Sequence, residues 1–226
     1  MVRIKYHSSE VMMDTVQVWL YVDSERAALA DALQTLTAEQ WETPSHCPGW
    51  SVRDVAAHVI SSPQVTALHI AGALVKARGN YDRAVFSLAK KAARRPMADI
   101  IGDYHRFSGS RRHPPGTSPL EPLLDVLVHT QDILRPLHQR HEMPTPAAHA
   151  AAARVWTKSF PFQARKKFAG YRLAATDAGW TVGDGPLIQG PIAELLLLLT
   201  GRTYGLGELS GEGTQDLRTR VQQIHP

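Results

Sequence analysis

The chain has 226 residues, with 25 Lys+Arg against 21 Asp+Glu, 43% hydrophobic and 20% charged residues. That length and balance suit one globular domain, or one with a small companion, and imply neither a disordered chain nor a nucleic-acid partner, a reading that rests only on the basic pI and the arginine pairs. A single cysteine beside 11 histidines excludes a disulfide framework and a multi-cysteine zinc site, so any metal must be held by nitrogen and oxygen.

The N-terminal residues carry no apolar stretch of the secretory type, and the Met12-Met13 pair marks residues 1–13 as an extension outside the fold. Apolar residues Val16, Leu20, Ala27, Leu29, Leu33 and Leu36 then recur at helical spacing. Pro44, Pro48 and Gly49 make Trp41 to Trp50 a loop. Ser51 is an N-cap with Asp54 in the first turn, opening a helix from Val52 to Ala73 that Pro63 kinks or interrupts. Residues 81–94 are helical and end on Lys90, Lys91, Arg94 and Arg95, and Pro96 opens a short helix over 97–108. After a Gly/Ser/Pro/Arg-rich loop, Leu120 to Leu137 forms a helix with a broad apolar face of Leu123, Leu124, Leu127, Val128 and Leu134.

Beyond a two-proline linker at 141–146 the pattern changes. Residues 147–158 are helical, and 171–177 and 180–182 read as short strands joined at Ala178-Gly179. Residues 183–186 form a turn. Pro191 opens an apolar helix that Gly201 closes, and 214–224 is a final helix. The fold class is therefore mainly α: a helical bundle over 14–140 and a small α+β domain over 147–226. The longest apolar run, around Leu195 to Leu199, is far short of the roughly 20 residues of a spanning helix, so the chain reads as cytoplasmic with no membrane partner.

Asp125 and His129 lie four apart on one helix, so their Cβ atoms are about 5–6 Å apart on one face. With His58 from a second helix they make three protein ligands and leave a position open, the arrangement of a catalytic metal site. The same spacing also suits a plain hydrogen-bonded pair. Asp132 lies seven residues from Asp125, near the same face, and either supports an imidazole from behind or is solvated. His46, His69, His105, His113 and His138 read as surface or satisfied histidines. Cys47 beside His46 is a nucleophile or a packing residue. The pairs Arg94-Arg95 and Arg111-Arg112 bind an anionic substrate or thiol cofactor, or are solvated. No P-loop, dinucleotide or nucleophile-elbow motif occurs.

Three segments together resemble the mycothiol-dependent maleylpyruvate isomerase family of DinB-like metalloenzymes. They are Trp41-Glu-Thr-Pro-Ser-His-Cys-Pro-Gly-Trp-Ser-Val-Arg-Asp-Val-Ala-Ala-His58, then Asp125-Val-Leu-Val-His129, then Ala175-Thr-Asp-Ala-Gly-Trp180 with the Gly190-Pro191 helix running to Arg202. The resemblance implies a DinB-like four-helix bundle. It implies a divalent metal, most often zinc, on His58, Asp125 and His129, and mycothiol as thiol co-substrate in an actinobacterial setting. One departure is Asp125, where the isomerase itself has Glu; the shorter side chain draws the metal towards its helix or calls for a bridging water. The implied activity is S-transfer or isomerisation of a small electrophile by a metal-activated thiolate. The alternatives are a hydrolase using metal-bound water and a non-catalytic bundle that binds metal or a small molecule. The expected partners are the electrophile and a low-molecular-weight thiol, with no nucleic acid, in a monomer or homodimer.

Overall fold

The computed structural model describes residues 13–224, so the extension expected over 1–13 lies, apart from Met13, outside the described residues. The chain forms two compact units: Thr15–Glu142, and Met143 onward with Met13 and Asp14.

The first unit holds α1 (Thr15–Gln34), α2 (Ala38–Glu42), α3 (Val52–Ser61), α4 (Ala67–Lys76), α5 (Tyr81–Ala92), α6 (Met97–Arg106) and α7 (Leu120–Leu134). Helices α1 and α3 each pack against both α6 and α7, closing a four-helix ring. This is the bundle expected from the sequence. Leu29 and Leu33 of α1, Val55, Val59 and Ile60 of α3, Ile100 of α6, and Val126 and Ile133 of α7 are buried together in its core. Each such side chain contributes about 1.5–3 kcal/mol of hydrophobic stabilisation. Helix α5 lies against α3, and α4 against α5.

The structure decides one open expectation and corrects another. The long helix over 52–73 is two helices, because Pro63 removes a backbone donor and Thr66 caps a fresh start at α4. Trp41, read as loop, lies buried in the short α2, which Thr37 and Gln40 close with a reciprocal capping box. The Ser51–Asp54 start is as expected: the Asp54 N–H donates to Ser51 Oγ, and the Ser51 N–H donates to Asp54 Oδ2 at 2.8 Å.

The second unit holds α8 (Thr145–Thr157), α9 (Ala164–Lys167), β1 (Arg172–Ala175), β2 (Thr181–Gly183), β3 (Leu187–Gly190), α10 (Ile192–Leu199) and α11 (Thr214–Ile224). The sheet order is β2-β1-β3, with β1 antiparallel to β2 and parallel to β3. Strand β3 was not anticipated, since four residues between Pro186 and Pro191 are too few to show an alternation. Gly183 turns the chain with φ +73°, where an added Cβ would collide with the Tyr171 carbonyl oxygen. Helix α10 buries Leu195 to Leu199 all round and packs on α8, whose buried Ala147, Ala148, Ala151 and Ala152 permit close approach. Among the described residues no helix is long and apolar enough to cross a membrane.

Candidate metal centre

Helices α3 and α7 face each other in the bundle and bring His58, Asp125 and His129 together. Asp125 Oδ1 lies 3.3 Å from His58 Nε2 and 3.4 Å from His129 Nε2. The two imidazole rings stand edge to face, with centroids 5.1 Å apart. All three side chains keep some exposure, 21%, 27% and 13% respectively, so the cluster is approachable from one side.

These spacings separate two kinds of contact. Charge-assisted N–H···O bonds close to about 2.7–2.9 Å. The His129 Nδ1–Asp132 Oδ2 contact does so, at 2.9 Å. The contacts to Asp125 are longer, and they match the roughly 3.3–3.4 Å edge of a tetrahedron whose ligands stand about 2.0–2.1 Å from its centre. The donor set, two imidazole nitrogens and one carboxylate oxygen, is the chemistry that zinc and similar divalent ions take. The residues present therefore fit a divalent metal. Asp125 reaches both imidazoles although it is a methylene shorter than Glu.

Asp132, fully buried, stands behind His129. Accepting from Nδ1–H, it orients the imidazole so that Nε2 faces Asp125. Burial pushes the Asp125 carboxyl up, but the facing His58 charge and the hydrogen bonds from His129 and His58 outweigh it and hold the carboxyl below its usual range. Burial opposes a charged His129, yet its bonds to Asp125, Asp132 and Cys47 carry its pKa well above the ordinary imidazole value.

Two further groups were not assigned to this centre from sequence. Cys47 Sγ lies 3.1 Å from Asp132 Oδ2 and 3.6 Å from His129 Nδ1. The Trp50 ring stacks over His129 at 6.5 Å and meets His58 edge-on at 5.2 Å. The Cys-Pro-Gly-Trp turn was the available signal, but its contact with α7 spans more than eighty residues of sequence. The remaining candidates are elsewhere. His69 lies in the α4 cap, His105 meets Gln34, and His113 stacks on Trp19. His138 ends a short 3-10 turn after α7 in the left-handed conformation. Arg95 pairs with Asp103, and Arg111 with Asp23, each at 2.6 Å.

A helical bundle with a two-histidine, one-carboxylate cluster between facing helices defines the class. Residues 22–113 match the family model described as the mycothiol maleylpyruvate isomerase N-terminal domain, the family that the motifs resemble. His58 lies inside the matched segment; Asp125 and His129 lie beyond it. The fold is similar to the crystal structure of the mycothiol-dependent maleylpyruvate isomerase, with TM-score 0.63 and 11% identity over 89% of this chain and 94% of that one. It is similar also to a histidine-to-alanine mutant of that enzyme, with TM-score 0.61, 11% identity and the same coverage. No curated protein matches the sequence.

Proposed function

We propose that this protein is a metal-dependent S-transferase or isomerase that uses a mycothiol-like low-molecular-weight thiol on a small electrophilic substrate. One observation carries the reading: Asp125 Oδ1 sits between two imidazole Nε2 atoms at metal-ligand spacing, while the hydrogen bond to Asp132 occupies the other nitrogen of His129. The family domain and the named isomerase structures support the thiol and the isomerase chemistry.

His58, Asp125 and His129 would hold the ion, and their donor set favours zinc. When bound, such an ion supplies Lewis acidity that lowers the pKa of a thiol and makes thiolate available at neutral pH. The chain's own residues do the rest. Asp132 holds His129 in one tautomer. Trp50 lies over the His129 ring and braces His58 edge-on. The exposed edge of the three ligands leaves an approach for thiol and electrophile.

The test is elemental analysis of purified protein beside a His58→Ala, His129→Ala double variant, followed by turnover of an electrophile panel with and without thiol. About one divalent metal per chain is expected in the wild type and none in the variant, with turnover that requires thiol. A metal-free wild type sinks the reading. Metal with thiol-independent hydrolysis would transfer it to a hydrolase, and metal with no turnover to a binding protein.

A further inference from the structure

The turn from Ser45 to Trp50 is tightly organised and seated on α7. The Ser45 N–H and Oγ–H both donate to the Trp50 carbonyl at 2.9 Å, and the Trp50 N–H donates to the Cys47 carbonyl at 3.0 Å. The Cys47 N–H donates to Ser45 Oγ at 3.1 Å. The His46 N–H donates to the Asp132 backbone carbonyl at 3.0 Å, which fastens the turn to the helix carrying Asp125 and His129. The turn thereby sets two side chains against one imidazole: Trp50 over its face and Cys47 at its rear edge.

At that rear edge, two donors converge on a single oxygen. Cys47 S–H and His129 Nδ1–H both point to Asp132 Oδ2, at 3.1 and 2.9 Å. A buried carboxylate is costly unless donors surround it, and its rotamer follows them. We propose that Cys47 is a positioning residue: its thiol, donating to Asp132 Oδ2, fixes the Asp132 carboxylate so that Asp132 in turn fixes His129. The lone cysteine is then neither nucleophile nor metal ligand but the outer member of a Cys47–Asp132–His129 relay. Outer partners of this kind tune metal affinity without touching the metal.

The inference rests on the proposed metal centre, and its test has one arm with metal and one without. In the first, Co(II) affinity and absorption are measured for wild type, Cys47→Ala, Cys47→Ser and Asp132→Asn. Cys47→Ala is expected to bind about tenfold more weakly, with displaced ligand-field bands, and Asp132→Asn at least as weakly. Cys47→Ser, which keeps an O–H donor, restores affinity to within about twofold of wild type. No sulfur-to-cobalt charge-transfer band appears in any of them. In the second arm, nitrogen-edited NMR of metal-free protein follows the His129 Nδ1 proton. It is hydrogen-bonded and slow to exchange in wild type and Cys47→Ser, and lost to exchange in Cys47→Ala.

A charge-transfer band that Cys47→Ala abolishes would make Cys47 a ligand and overturn the relay. Equal affinity in wild type and Cys47→Ala would overturn it too, as would a serine variant no better than alanine. Were the wild type to take up no cobalt while the Nδ1 proton still depended on residue 47, the metal reading would fall and the relay would stand. Normal cobalt binding with an Nδ1 proton indifferent to residue 47 would leave the metal reading and remove the relay.

Discussion

The interiors of the two units are built differently. In the second unit the core is dominated by α10, where Leu195 to Leu199 are all buried against the alanine face of α8. In the bundle, charged side chains are buried among the valines and leucines: Glu25, Arg26, Asp54, Asp103 and Asp132. Each buried carboxylate there has a partner at short range: Glu25 with His141 at 2.7 Å, Asp54 with Lys90 at 2.6 Å, Asp103 with Arg95 at 2.6 Å, and Asp132 with His129 at 2.9 Å. Buried ion pairs seldom add net stability over an apolar core of equal volume. Among the described residues the second unit buries one charged side chain, Glu194 of α10, against five in the bundle, so the contrast is one of degree: one core serves mainly cohesion and the other also positions polar groups.

If the contrast holds, the largest effect on stability comes from the apolar unit. Leu195→Ala should cost about 3 kcal/mol in denaturant unfolding, as truncation of a buried leucine does. The metal affinity of the folded variant should be unchanged. Loss of affinity with stability would break the separation of the two cores.

The next effect concerns pH and metal. Because the His129 pKa is raised, the metal-free centre keeps a proton there at pH values where free histidine has lost it, and a metal must displace that proton. Observed affinity should therefore rise at least about tenfold per pH unit up to the raised pKa and then level off. Asp125, held low, is ionised throughout and adds no slope in this range. Chelator competition from about pH 5 to 8 measures this. A flat profile would show that His129 is not a ligand.

A smaller effect separates a purely structural pair from the centre. The hydrogen bond to Glu25 is the leading cause of the raised His141 pKa. Its stabilisation is fully present below the unfolded histidine value of about 6.5 and fades as pH rises through the folded value. His141→Gln should thus cost about 1 kcal/mol at acidic pH and progressively less at alkaline pH, read as thermal midpoints. A cost that grew with pH would reverse the assignment.

The smallest change expected is a gain. Arg26 is buried, with Nε and Nη1 lacking hydrogen-bond partners, and burial leads the lowering of its pKa. Arg26→Met should raise stability by about 0.5–1 kcal/mol in denaturant unfolding. A loss would mean that the bundle uses this charge, whose field favours an ionised Asp125.

Much of this was legible in the sequence because it is local. Ser51 and Asp54 are three residues apart, so their cap can be read directly. The four-residue spacing of Asp125 and His129 places both on one face of α7. Pro63 announced a break and left open whether it was a kink or an end. Strand β3 was hidden because its ladder is made with β1, fifteen residues away, and its own four residues carry no period. Trp41 and Trp50 look alike in sequence, yet one is core and the other covers the centre.

The sequence by itself determined the helical bundle, the smaller α+β unit and the residue types able to hold a metal, since periodicity, caps and ligand chemistry are properties of short stretches. The tertiary structure decided the rest. That His58 meets Asp125 and His129, that Asp132 stands behind His129 rather than in solvent, and that Cys47 reaches Asp132 are contacts across the bundle. Such contacts depend on how α3, α7 and the turn at 45–50 pack, and packing is set by the sum of many side-chain fits rather than by any one motif.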